Sequence, residues 1–123
     1  MGILKSLFGS SEASKPKNNF NWIALNSMEQ LDEIEQKSNS KYQAIFKHST
    51  RCGISSGVLR QFERQEDTGE VDFYLLDLLS FRPISEEITS KFGVMHQSPQ
   101  LIVLKDGAVV AHGSHYDIMS VKI

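Results

Sequence analysis

Cysteine is nearly absent from this chain. Of its 123 residues only Cys52 carries a thiol, which excludes an intrachain disulfide framework and suits a reducing compartment, the cytoplasm. Proline is scarce as well, at Pro16, Pro83 and Pro99, so no proline-rich segment exists and each proline marks a particular place. Neither sign of charge dominates: 13 Lys and Arg against 15 Asp and Glu leave a net charge of −2, without the basic excess that a nucleic-acid partner calls for. Apolar runs fall far short of the roughly 20 residues of a membrane span, so no span is expected. The four histidines, His48, His96, His112 and His115, show no convincing ligand spacing. His112-x-x-His115 alone reads as a loop pair, and no metal site is expected.

What remains is the composition of one domain with one core, 40% hydrophobic and 23% charged. Residues 1–19 stand apart from it. Ile3, Leu4, Leu7 and Phe8 fall on one helical face, and residues 9–19 are small, polar and basic around Pro16. That is a short amphipathic N-terminal segment followed by a flexible linker, with the domain itself over 20–123.

Periodicity orders that domain. An aromatic-rich strand covers 20–25, with Trp22 its largest group to bury. Ser27 and Gln30 make a capping box before a helix over 28–37, whose apolar stripe is Met28, Leu31 and Ile34. Residues 42–46 read as a central strand. Ile54, Val58 and Phe62 recur every four residues opposite Arg60, Glu63 and Arg64, an amphipathic helix ending before Gly69. Residues 71–76 are the next strand, and strand–helix–strand in this order predicts a parallel pair. A third helix opens at Pro83, carries Ile84, Ile88 and Phe92, and stops at Gly93. Asp106-Gly107 between two apolar runs, 101–104 and 108–111, is a hairpin. Residues 114–123 leave room for a short last helix. The class is α/β, in the order β-α-β-α-β-α-β-β.

The chemistry gathers around Ser49-Thr50-Arg51-Cys52-Gly53-Ile54-Ser55. A thiol at the first turn of a helix, directly after a buried strand, is placed for sulfur chemistry. Ser55 stands where a C-x-x-C motif has its second cysteine, so exchange at Cys52 must finish with a sulfur from another molecule. A helix start favours a negative charge by only ~0.3–1 kcal/mol. Arg51, Lys47 or His48 would have to add to that by turning inward. Thr50 is favoured as the helix N-cap, the other reading being a hydroxyl beside the thiolate. Ser55 is either a hydrogen-bond donor to the thiolate or a first-turn serine facing solvent.

The element order, with a cysteine opening the second helix and Ser98-Pro99-Gln100 just before the hairpin, resembles the thioredoxin fold. That resemblance implies a central mixed sheet flanked by helices and a cis Pro99 facing Cys52. More closely, Phe46-Lys47-His48-Ser49-Thr50-Arg51-Cys52 with Gly53-Ile54-Ser55, then Phe92-Gly93-Val94 and His96-Gln97-Ser98-Pro99-Gln100, are similar to the monothiol bacilliredoxins, the YtxJ-like family. The resemblance covers about residues 20–113. It implies removal of bacillithiol from S-thiolated client proteins, with Cys52 as the nucleophile, bacillithiol as co-substrate and no tightly bound cofactor. Thr50, Arg51 and Ser55 would surround the thiolate. Lys47 and His48, with Arg51, would meet the two malate carboxylates of bacillithiol, and Ser98 and Pro99 would offer strand-edge backbone to the substrate. Residues His112 to Asp117 would lie near the far end of the thiol. Where the family pattern often has proline after the cysteine, this chain has Gly53. Monothiol glutaredoxins, with Cys-Gly-Phe-Ser, share that glycine, and a thiol-binding or iron–sulfur cluster-carrying module is the alternative it raises.

Overall fold

The structure is a computed structural model that describes residues 20–65 and 67–123. The amphipathic segment and linker expected over 1–19 lie outside the described residues. Nine elements follow in order: β1 (Trp22–Ala24), α1 (Glu29–Lys37), β2 (Tyr42–His48), α2 (Gly53–Phe62), β3 (Val71–Asp77), α3 (Arg82–Phe92), β4 (Gln100–Lys105), β5 (Ala108–Ser114) and a terminal 3-10 helix (His115–Ser120).

The strands form one five-stranded sheet in the order β1-β3-β2-β4-β5. β1 and β2 run parallel to β3, as the right-handed strand–helix–strand connection requires, while β4 runs antiparallel to β2 and β5 antiparallel to β4. β2 is therefore central. Six of its seven residues are buried, and strand alternation sends them to opposite faces. Ile45 joins Leu31, Ile34, Ile84 and Ile88 in the core beneath α1 and α3. Ala44 and Phe46 join Val58, Phe62 and Ile118 in the core beneath α2 and the terminal helix. Phe20, Trp22, Phe46, Phe62 and Phe73 pack ring to ring there, with centroids 4.6–6.2 Å apart. This is the thioredoxin-like arrangement expected from the element order.

The ends of the elements differ from expectation in instructive ways. The helix after Ser27 opens at Glu29, and Ser27 accepts no bond from its first turn. Half of the capping box survives, because the Gln30 side chain accepts the backbone N–H of Asn26 at 2.8 Å and of Ser27 at 3.0 Å. Asp106 and Gly107 turn the hairpin with φ of 56° and 79°, the left-handed pair that a two-residue hairpin turn needs. Gly93 ends α3 at φ 72° and its N–H bonds the Thr89 carbonyl. At the other end of the sheet, Ser38 ties α1 to the hairpin: its carbonyl accepts from Asp106 N–H at 2.7 Å and its hydroxyl from Gly107 N–H at 2.9 Å.

Candidate active site

β2 runs two residues beyond its sequence-predicted end, and that extension fixes the site. Lys47 and His48 belong to the strand, where neighbours point to opposite faces. They do not form one loop cluster with Arg51. Lys47 is fully buried on the α1–α3 face, its Nζ 3.4 Å from the Ser85 carbonyl and 3.2 Å from His96 Nδ1. His48 is buried on the α2 face, its Nδ1 2.7 Å from Ser55 Oγ.

The chain then turns through Ser49-Thr50-Arg51, closed by the Cys52 N–H on the Ser49 carbonyl at 3.2 Å. Cys52 is the N-cap of α2, with φ −107° and ψ 119°, and its carbonyl accepts the first helical bond, from Ser56 N–H. Thr50 is exposed in the turn two residues earlier and does not cap the helix, a correction to its favoured reading. Arg51 is exposed beside it. Among the described residues no side chain caps the first turn of α2. The thiol thus occupies the position where a serine or aspartate would place an oxygen on the N2 and N3 amides. Those amides, from Ile54 and Ser55, are the donors nearest in sequence to a sulfur anion formed there. Cys52 is half-buried, and next to it Gly53 leaves open space: a side chain there would meet nothing within 4 Å.

Ser55 does not face solvent. It is fully buried, and its hydroxyl oxygen accepts the Ser49 N–H at 3.1 Å while contacting His48. It therefore stitches the end of β2, the cysteine loop and the first turn of α2 together. His48 pairs across the sheet with Asp77. Burial holds its imidazole below the ordinary value, against the opposing pull of the Asp77 and Glu63 carboxylates. One Asp77 oxygen takes the Ser80 hydroxyl at 3.0 Å; the other is buried without a partner among the described residues.

The register of β2 with β4 brings the proline alongside. Lys47 pairs with Gln100, so Pro99 follows opposite His48, at the root of the cysteine loop. The Ser98–Pro99 bond is cis. Pro99 is buried and its carbonyl accepts the His115 N–H at 3.0 Å, joining the end of β5 to the site. Ser98 Oγ is buried with no partner among the described residues. Sequence reasoning assigned no role to Gln100, which shapes this segment. Its side chain accepts the Gln97 N–H at 3.2 Å and donates to the Met95 carbonyl at 3.0 Å. The signal available in the sequence is a glutamine, a side chain that both donates and accepts, directly after Pro99 at the start of an apolar strand. A cavity of about 410 Å³ opens beside it, lined by Gln97, Gln100, His112, Ser114 and Asp117. Among the described residues no group of three or more His, Cys, Asp and Glu side chains is placed to hold a metal ion.

A lone thiol at the head of α2, on a thioredoxin-like sheet whose β4 begins after Pro99 opposite His48, invites comparison with known proteins. Residues 23–123 match the family model of the monothiol bacilliredoxin BrxC. The chain belongs to that family. Among solved structures, one described as having a thioredoxin fold is 32% identical over 78% of this chain and 84% of its own, with a TM-score of 0.69. Thioredoxins from Malassezia sympodialis (20% identical, 84% and 86% of the two chains, TM-score 0.65) and Trypanosoma brucei brucei (22%, 81% and 83%, 0.64) share the fold. This bacilliredoxin is a thiol–disulfide oxidoreductase with one redox-active cysteine, Cys52. No helix among the described residues is long and apolar enough to cross a membrane.

Proposed function

We propose that this bacilliredoxin removes bacillithiol from protein mixed disulfides in the cytoplasm, with bacillithiol also serving as the second thiol. The observation that carries the reading is the placement of the sole cysteine at the uncapped head of α2, with Ser55 where a resolving thiol would stand. In the first step the Cys52 thiolate attacks the bacillithiol sulfur of the adduct. The Cys52–bacillithiol disulfide forms, the protein–bacillithiol disulfide breaks, and the client leaves as a thiolate that takes a proton from water. In the second step a free bacillithiol thiolate attacks the bacillithiol sulfur on Cys52. Bacillithiol disulfide leaves and Cys52 is restored as a thiolate. In sum the mixed disulfide and one free bacillithiol give the client thiol and bacillithiol disulfide, the two electrons that reduce the mixed disulfide coming from the oxidation of two bacillithiol thiols to that disulfide.

Arg51, exposed on the turn, supplies positive charge at the mouth of the site, and Ser98 offers backbone groups to an extended substrate, as a free strand edge does, while Pro99, whose carbonyl is held by the His115 N–H, shapes that edge. His48 and Ser55 hold the cysteine loop in place through the Ser49 N–H. The test presents one client protein carrying either bacillithiol or glutathione, and follows client release together with the mass of the adduct on Cys52. Faster release from the bacillithiol adduct, with bacillithiol trapped on Cys52, is expected. Equal rates for both adducts would leave a general monothiol redoxin and defeat the bacillithiol reading.

A further inference from the structure

On the face of the sheet away from α2, a cavity of about 310 Å³ is lined by Leu78, Arg82, Ser85, Glu86, Thr89 and His96. Lys47 does not line it but lies against two residues that do. Both groups that its ammonium touches, the Ser85 carbonyl and His96 Nδ1, belong to residues of the lining. The lysine is fully buried, yet among the described residues no carboxylate lies within ion-pair distance of it or of Arg82. An ammonium taken out of water without a counter-charge is costly, and proteins rarely keep one without a use. Thr89 Oγ1, on a further lining residue, is buried and has no partner among the described residues. Because Lys47 donates to His96 Nδ1, a neutral His96 carries its proton on Nε2. Arg82, His96 and the Ser85 and Thr89 hydroxyls are able to donate, while Glu86, exposed on α3 four residues after Arg82, is the lining side chain that only accepts.

We infer that this cavity binds the carboxylate of a small molecule, with Arg82 and Thr89 as direct donors and the buried Lys47 as fixed countercharge behind Ser85 and His96. Its volume suits a ligand of a few heavy atoms, and the planar guanidinium of Arg82 matches the two oxygens of a carboxylate. The cavity sits at the C-terminal edge of β2 and β3, the edge that also carries Cys52. Two sources supply such a group: the dicarboxylate end of a small thiol, as in the proposed co-substrate, or a free dicarboxylate. The inference stands whichever thiol the enzyme uses.

Malate, bacillithiol, the same thiol without its malate, and inorganic phosphate are titrated into the Cys52→Ser protein while backbone and imidazole NMR signals are followed. Malate or bacillithiol, or both, is expected to shift Arg82, Ser85, Thr89 and His96. Response to bacillithiol alone identifies the thiol as the source; response to malate alone identifies a free dicarboxylate. Arg82→Gln and Lys47→Met should each weaken binding about ten- to hundredfold, and Glu86→Gln should tighten it severalfold. Arg82 is exposed, so its variant folds whatever becomes of the buried lysine. Phosphate binding as tightly as malate, absence of shifts at these residues, or affinity unchanged in Arg82→Gln would each overturn the assignment. Because the protein titrated has no thiol, none of these outcomes depends on turnover.

Discussion

Two residues beside the sulfur lend themselves to opposite tests. Gly53 is the first residue of α2, its φ is not left-handed, and a side chain there would meet nothing within 4 Å. Cys52 before it is already extended, as a residue preceding proline must be. Gly53→Ala and Gly53→Pro should therefore both fold, and each should stabilise by ~0.4–1 kcal/mol through the unfolded chain. Urea denaturation measures this, and a loss of stability in the proline variant would mean that Cys52 is not extended before the first residue of α2. Ser55 is the reverse case. Ser55→Ala removes the acceptor of the Ser49 N–H and the partner of His48 Nδ1 inside the protein. A cost of ~1–3 kcal/mol is expected, with turnover reduced because the cysteine loop loses its anchor. An unchanged midpoint in urea would show that the bond to His48 is not made. Cys52→Ser should leave the fold intact and abolish turnover, since a hydroxyl cannot take part in disulfide exchange at neutral pH.

At the scale of elements, two glycines again predict opposite signs. Gly57 lies within α2 with open space around it, so Gly57→Ala should stabilise by ~0.5–1 kcal/mol. Gly113 lies in β5 against the terminal helix, where an added methyl would sit 2.8 Å from Val121 Cγ2 and 3.2 Å from the Asp117 carbonyl. Gly113→Ala should displace that helix and lower the melting temperature. The elements themselves were legible because each carried its own period: Ile54, Val58 and Phe62 for α2, and Asp106-Gly107 for the hairpin. The boundary that mattered for the site was not. Lys47 and His48 are polar, so an apolar pattern stops at Phe46, whereas pairing with Gln100 on one side and with Leu76 and Asp77 on the other carries β2 to its end. Tertiary pairing outranked side-chain polarity there. The same two residues then separate to opposite faces, which a loop reading could not anticipate. The cap of α2 was misplaced for a related reason: Thr50 is the better capping residue by type, but the turn closed by Ser49 and Cys52 sets where the helix begins.

The buried titratable groups give the whole molecule a pH profile whose sign can be worked out. Burial brings Lys47 down from 10.5 to about 8, so an unfolded chain holds this proton to higher pH than the native protein does. The destabilisation is full below pH 8 and is relieved as pH rises from there towards 10. Tyr74 acts oppositely: burial, then the Asp72 and Glu33 charges, push it from 10.0 up to about 12. The unfolded chain ionises first and stability falls above pH 10. His48 and His96 are both lowered, each chiefly by burial, with Lys47 and Arg82 adding to the effect on His96. Stability is accordingly lost as pH falls below the ordinary histidine range, because the unfolded state takes up protons that the folded state refuses. Maximal stability is thus expected on the alkaline side, near pH 9–10. Lys47→Met keeps the volume, removes the buried ammonium, and should raise stability at pH 7 by up to ~3 kcal/mol at about 1.36 kcal/mol per unit. It should also abolish the rise between pH 8 and 10 while leaving the acid limb in place. Urea midpoints at pH 5, 7, 9 and 10.5 for both proteins separate these contributions. A variant that is less stable at pH 7, with the alkaline rise intact, would place the lysine's charge in solvent and remove the fixed countercharge from the α3 cavity.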